Sequence, residues 1–175
     1  MIWPAVAILG FVTLQRLAEL QLAERNSKRL LADGAKEHAA GHYEFLVAIH
    51  MAWLAALWWW APGRPVNLAL LLVFAALQVG RIWVIAALGR RWTTRIIVLP
   101  EAPLVRAGPY RYLSHPNYLV VTGEIAVLPL VFGLWQIALV FTILNLAILA
   151  VRIPQENKAL RSSRSAADPP KWRKG

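Results

Sequence analysis

Arg106-Ala-Gly-Pro-Tyr-Arg-Tyr-Leu-Ser-His-Pro-Asn-Tyr118 is a polar, aromatic stretch wedged between long apolar runs. Gly108-Pro109 marks a turn. Pro116 falls where the first turn of a helix begins, a position proline tolerates because its missing N–H has no intrahelical partner there. Ser114 or His115 can cap that helix. The stretch predicts a structured cytoplasmic loop feeding a membrane helix, with Arg, His and Tyr side chains held at the membrane boundary.

The residues on either side explain why a membrane is invoked. The chain has 175 residues, 58% of them hydrophobic, and its mean hydropathy is +0.49. Several runs are long enough to span a bilayer at about 20 residues each. The net charge of +10 does not point to nucleic acid, because the basic residues lie between the apolar runs and in the tail. There is no cysteine, which excludes disulfides, thiolate chemistry and cysteine-based metal sites. No metal-ligand cluster stands out.

Working outward, the apolar runs predict helices over about 2–22, 43–61, 67–88, 117–132 and 135–153. No basic segment precedes the first run, and Gln15, Arg16 and Glu19 interrupt it, so it reads as a retained helix and not a cleaved leader. Glu24 to His42 is polar. Ile96-Ile97-Val98-Leu99 reads as a short extended piece. Pro100 and Pro103 keep the next residues non-helical. Gly133-Leu134 permits a sharp turn, so the last two helices form a hairpin. Pro154 is expected to end the fifth helix after Arg152 and to start a short new one that places Glu156 in its first turn. Residues 1–160 are expected to form one membrane domain, and the basic tail 161–175 to be disordered.

The fold class expected is an all-α integral membrane protein of five transmembrane helices. Lys and Arg crowd the first loop, the third loop and the tail, which puts the N-terminus outside and the C-terminus in the cytoplasm. That topology gives the intramembrane polar residues a common depth. Gln15, Arg16, Glu19, His50, Gln78, Arg81, Thr122, Glu124, Asn145 and Arg152 all fall in the cytoplasmic half. Ionisable groups in a membrane face a cavity or one another, so a polar pocket open to the cytosol is expected. Arg16 with Glu19, and Arg81 with Glu124, can equally be structural pairs. His50 can be a satisfied core histidine, and Asn145 interhelical glue.

A soluble nucleotide-like cofactor could enter from the cytosol. Tyr110, Tyr112 and Tyr118 can stack on a purine, and His115 and Glu156 can hydrogen-bond a ribose or an amino acid moiety. A lipophilic acceptor could enter from the bilayer. There is no phosphate-cradling loop and no dinucleotide fingerprint, and an ordered re-entrant loop is the structural alternative for the central stretch.

Arg106–Tyr118, followed by two apolar helices and then Arg152-Ile-Pro-Gln-Glu-Asn-Lys-Ala-Leu160, resembles the isoprenylcysteine carboxyl methyltransferase family. Gln15-Arg-Leu-Ala-Glu19, Arg25-Asn and Arg91-Trp-Thr-Thr-Arg-Ile-Ile-Val-Leu-Pro100 look like a small bacterial branch of it. That branch is associated with type III polyketide synthases and implicated in O-methylating long-chain alkylpyrones or alkylresorcinols. The resemblance implies S-adenosylmethionine as cofactor, in contact with Arg106, Gly108, Pro109, Tyr110, His115, Pro116, Tyr118 and Glu156. It implies Arg152 near the reacting centre and the acceptor oxygen. It further implies a bacterial inner-membrane enzyme whose site faces the cytoplasm. Membrane lipids and a polyketide synthase pathway partner are the partners implied. Two residues depart from the family pattern: Ser114 stands where Arg is usual, and Asn157 replaces the second acid of a Glu-Glu pair.

For the chemistry, Arg152 or Arg81 would offset the charge of an ionised acceptor oxygen. A phenol would need a base, for which Glu124, Glu156 and His50 are candidates. A phospholipid N-methyltransferase, a reductase and a non-enzymatic membrane adaptor or transporter are the rival readings.

Overall fold

The computed structural model describes residues 2–38, 41, 43–100 and 102–167, with side chains through Ser162. Its elements are α1 (Trp3–Ala32), β1 (Lys36–His38), α2 (Tyr43–Trp60), α3 (Leu68–Leu88), β2 (Ile96–Val98), α4 (Pro116–Val131) and α5 (Trp135–Ala167). By length and composition α1, α3 and α5 can cross a membrane, and α4 is a shorter apolar helix. α2 has 18 residues, among them Glu44, His50 and four Trp. The five expected helices are thus present, and three of them reach a spanning length and hydropathy. At 1.5 Å per residue α4 covers only about 24 Å of a hydrocarbon core of roughly 30 Å.

Local chemistry sets the helix ends. The Asn67 side chain accepts from Leu70 N at 3.1 Å and caps α3, while its own N–H donates to Val131 O at 2.9 Å. Gly133 takes a positive φ of 70°, which a Cβ would disfavour. There the N–H groups of Phe132 and Leu134 return to Pro129 O, closing α4 and turning the chain into α5.

Two boundaries differ from expectation. α1 runs ten residues past Leu22, through the polar segment, to Ala32. Ala23, Asn26, Ser27 and Leu30 are buried along one stripe at helical spacing, and Lys28 pairs with Glu24 one turn back at 3.3 Å. A polar sequence here is therefore an amphipathic helix and not a loop. α5 also continues through Pro154 to Ala167. Proline removes one backbone donor, but a long apolar helix tolerates that when neighbours hold both sides. Arg152 and Glu156 are both bonded to Tyr118, and Ala159 packs on β2. Residues 161–167 of the expected disordered tail are helical, and 168–175 lie outside the described residues.

Ile96–Val98 is extended as expected, but its partner was not foreseen. β1 pairs antiparallel with β2, with Lys36 opposite Val98 and His38 opposite Ile96. The main core joins Ala5, Leu9 and Val12 of α1, Trp53 and Leu57 of α2, Phe74 of α3, and Ile125 and Leu128 of α4. Outward-facing residues such as Leu72, Val79, Ile82 and Leu119 are apolar and exposed, the surface an integral membrane protein presents to lipid.

Candidate active site

A cavity of about 580 Å³ lies among the helices and beneath the α3–α4 connection. Of the residues singled out from sequence, Arg16, Glu19, His50, Arg81, Arg106, Tyr110, His115, Tyr118, Asn145, Arg152 and Glu156 line it. Gly108, Pro109, Pro116 and Glu124 are not on its wall.

Gly108 explains its own absence. Its φ is +55°, and a Cβ there would sit 2.9 Å from Trp83 Nε1 and 3.0 Å from Ala87 Cβ. The close approach this glycine permits is to α3. Pro109 is buried in the same turn, and Pro116 is buried at the start of α4. His115 is the N-cap residue of α4, without a side-chain capping bond.

Two polar clusters meet the cavity. The first is a charge-balanced knot of two arginines and two glutamates from α1, α3 and α4. Arg16 Nη1 donates to Glu19 Oε2 at 2.8 Å, and its Nη2 donates to Glu124 Oε2 at 2.6 Å. Arg81 donates from Nε and Nη2 to the two Glu19 oxygens at 3.0 and 2.6 Å. Gln78 Nε2 donates to Glu124 Oε1 at 2.9 Å, and Gln15 Nε2 to Glu19 Oε1 at 3.1 Å. Arg81 Nη1 lies 3.5 Å from Glu124 Oε2. Both expected pairs therefore form, and they are one network. Glu124, expected as a base, is fully buried with both oxygens engaged. In this position it holds arginines.

The second cluster joins the two sequence blocks. Arg152 Nε donates to Tyr118 Oη at 3.0 Å, and Tyr118 Oη donates to Glu156 Oε2. The His115 ring stacks on that of Tyr118, with centroids 5.4 Å apart, and His115 Nδ1 lies 3.8 Å from Glu156 Oε2. Asn157 Oδ1 is 3.2 Å from His115 Nε2. The residue that departs from the two-acid pattern therefore contacts the histidine of the other block. Arg152 Nη2 also donates to Thr94 O at 2.5 Å. Thr94 was missed because its contribution is a backbone carbonyl.

The α3–α4 connection is pinned from several sides. Tyr43 Oη and Thr94 Oγ1 are 3.1 Å apart. The Arg95 guanidinium lies over the Tyr43 ring at 4.9 Å and 3.3 Å from Glu37. Asn26 Nδ2 donates to Gly89 O and Trp92 O at 3.2 and 2.8 Å. Burial, with the Glu156 carboxylate adding to it, raises the Tyr110 phenol above its ordinary value of 10.0.

His50 Nδ1 is bonded to Leu46 O at 2.8 Å, and the residue lines the cavity. Asn145 Nδ2 donates to Thr122 Oγ1 at 3.0 Å. Six buried atoms on cavity-lining residues make no hydrogen bond among the described residues: Arg16 Nε, Trp53 Nε1, Arg81 Nη1, Trp92 Nε1, Asn117 Oδ1 and Asn145 Oδ1. No group of His, Asp and Glu among the described residues is arranged to hold a metal ion.

Residues 68–162 match the model of the isoprenylcysteine carboxyl methyltransferase family. An uncharacterized protein of Bacillus subtilis (strain 168), YpbQ, is 33% identical over 92% of this chain and 97% of its own length. An uncharacterized protein of Haemophilus influenzae is 31% identical over 83% of this chain and 88% of its own. No solved structure matches this chain.

Proposed function

From the premise that this chain belongs to the isoprenylcysteine carboxyl methyltransferase family, we propose that it is an S-adenosylmethionine-dependent O-methyltransferase acting on a lipophilic acceptor at the cytosolic membrane boundary. The observation that carries the reading is the Arg152–Tyr118–Glu156–His115 cluster on the wall of one cavity. It unites the two blocks of the family resemblance across α4 and α5.

The residues present fit an amino-acid nucleoside. The Glu156 carboxylate is suited to hydroxyl or ammonium groups, Asn117 brings a buried acceptor oxygen without a partner among the described residues, and the Tyr110 and His115 rings offer faces for a base or a sulfonium. These residues and Tyr118 would hold the cofactor, with Arg106 at the rim. The cofactor supplies an electrophilic methyl group when bound.

The chain's own contribution is positioning and charge. Arg152, held by Tyr118 and Thr94, would orient an ionised acceptor oxygen and offset its charge without protonating it. Fixing that oxygen in line with the methyl group accounts for most of the rate in such a reaction. An acceptor that arrives ionised needs no strong base, which suits a cavity where Glu124 is engaged and the Tyr110 phenol keeps its proton. An alkyl tail between the helices adds about 0.8 kcal/mol per buried CH₂. Long-chain alkylpyrones and alkylresorcinols, or an isoprenylcysteine-type carboxylate, are the acceptors to try first. The orientation that goes with this reading has five spans, the N-terminus outside and the site facing the cytoplasm of a bacterial inner membrane.

Calorimetry on detergent-purified protein tests the reading, with NADPH as the comparison ligand. Micromolar binding of S-adenosylmethionine that is lost in His115→Ala is expected. Binding of neither ligand by folded protein would overturn the enzyme reading in favour of a membrane adaptor or transporter.

A further inference from the structure

His115 is held on two sides, and only one of the two contacts decides which way its ring faces. It is the N-cap residue of α4, but its side chain makes no capping bond. The imidazole stacks on the Tyr118 ring with 23° between the planes. Stacking sets the plane of the ring and not its edge, because a half-turn about the Cβ–Cγ bond leaves the stack intact.

Asn157 sets the edge. Its Oδ1 lies 3.2 Å from His115 Nε2. An amide oxygen only accepts, so Nε2 is the ring nitrogen that carries a hydrogen.

The other nitrogen faces a carboxylate. His115 Nδ1 lies 3.8 Å from Glu156 Oε2, whereas a charge-assisted N–H···O bond is about 2.7–2.9 Å long. The gap is too wide for an Nδ1–H donated to that oxygen, which already accepts from Tyr118 Oη. With its hydrogen on Nε2, the ring presents the Nδ1 lone pair next to the Glu156 carboxylate. His115, Glu156 and Asn157 all line the cavity. Two acceptors therefore stand side by side, and Asn157 brings this about without adding a charge. A ligand group that meets both has to donate.

We infer that Asn157 is a positioning residue. It fixes His115 as the tautomer with hydrogen on Nε2, so that Nδ1 and the Glu156 carboxylate together receive an ammonium or hydroxyl group of the ligand. The inference rests on the reading that this cavity takes S-adenosylmethionine, a molecule that carries both kinds of donor. It also gives the departure from the two-acid pattern a role: Asn157 acts on the ligand only through His115.

The test reads the ring directly. The full chain, labelled with ¹⁵N-histidine and held in detergent without ligand, is compared with Asn157→Leu and Asn157→Ala by nitrogen NMR at pH 8.5. That pH is about two units above the ordinary histidine value of roughly 6.5, so neutral rings are compared. His115 is one of four histidines, and its signals are those missing in His115→Gln. The wild type is expected to show one tautomer, with hydrogen on Nε2. Either variant, melting as the wild type does, is expected to show a mixture of both tautomers. The same preparations are titrated with S-adenosylmethionine, and the variants should bind it roughly tenfold more weakly, the scale of one hydrogen bond to a charged group. A wild type with hydrogen on Nδ1, or variants that keep the single Nε2 tautomer, would overturn the positioning role. Variants that lose the tautomer and bind S-adenosylmethionine as tightly as the wild type would overturn the paired-acceptor role. A wild type that shows the expected tautomer and binds no S-adenosylmethionine would bring down the cofactor reading, while control of the His115 tautomer by Asn157 would stand on the NMR result.

Discussion

Arg152 Nε donates to Tyr118 Oη at 3.0 Å, and the same hydroxyl donates to Glu156. Arg152 and Glu156 are one helical turn apart on α5, close enough to pair directly. The phenol stands between them and bonds to both. Tyr118→Phe keeps the ring stacked on His115 and deletes both bonds. Bonds to charged groups are worth about 1.5–3 kcal/mol each. We expect kcat to fall by roughly ten- to a hundredfold, with a smaller change in S-adenosylmethionine affinity. Steady-state kinetics and calorimetry on the same preparation separate the two effects.

The charge-balanced knot makes a stability prediction. Glu124→Ala leaves Arg16 and Arg81 sharing one carboxylate in a buried site. Breaking a buried pair by removing one partner costs about 3–5 kcal/mol. Thermal unfolding in detergent should show a large drop for Glu124→Ala. The double change Arg16→Met with Glu124→Leu should be milder, because no buried charge is left unpaired beside an apolar residue.

Gly108→Ala tests the close approach to α3. The added methyl would meet Trp83 Nε1 at 2.9 Å and Ala87 Cβ at 3.0 Å, at a φ of +55°. The indole tip can move, but Ala87 is fixed to the helix. Strain of about 1–3 kcal/mol is expected. A lowered melting temperature in cofactor-free protein would match this. A variant that melts normally and binds S-adenosylmethionine poorly would instead make Gly108 a cofactor contact.

What could be read from sequence followed what side chains announce. The apolar run over about 67–88 marked α3, Gly133 marked the α4–α5 turn, and the shared depth of Arg16, Glu19, Arg81 and Glu124 marked the knot. Two of its pairs, Arg16 with Glu19 and Arg81 with Glu124, were legible as well, but the links from Arg16 to Glu124 and from Arg81 to Glu19 were not, because depth alone does not fix which arginine meets which glutamate. The extension of α1 was hidden because Glu24–Ala32 is polar overall and buries only one stripe. Pro154 misled because the contacts that hold both sides of it come from Tyr118 and β2, far away in sequence. Thr94 was hidden because a backbone carbonyl leaves no side-chain signature. Gly108 was read as a turn and as a cofactor contact, and the neighbour it approaches closely is α3.

Tyr110 gives a pH prediction. Its phenol holds its proton more tightly in the folded chain than when free, mainly through burial. A raised folded-state value means that its contribution to stability is fully present below the unfolded value of about 10 and is lost as pH rises further. Alkaline denaturation should therefore begin at higher pH in Tyr110→Phe than in the wild type. Below about pH 9.5 the phenol is protonated in both states, so the substitution should leave the alkaline limb of the activity profile where it is. A limb that moves with Tyr110→Phe would make this residue a titrating participant.

Asn26 links the far end of α1 to the segment that holds Arg152. Its amide donates to Gly89 O and Trp92 O, two residues before the Thr94 carbonyl that accepts from Arg152. Asn26 is 2% exposed, so deleting the amide takes the side-chain donor from Trp92 O and leaves Gly89 O with the Trp92 N–H alone. Asn26→Ala should cost about 1–3 kcal/mol, felt first by the 89–95 segment. Hydrogen exchange should rise there and at Ile96–Val98 while α4 stays protected, and kcat should fall because Arg152 loses a fixed acceptor. Asn26→Asp separates bonding from packing. A carboxylate fills the same volume but cannot donate when ionised, and it would face two carbonyl oxygens. It should be worse than alanine at neutral pH and improve on acidification, as the protonated form regains one donor. Equal behaviour of Ala and Asp at all pH values would show that the segment is held by packing alone, and the proposed route from α1 to Arg152 would fail.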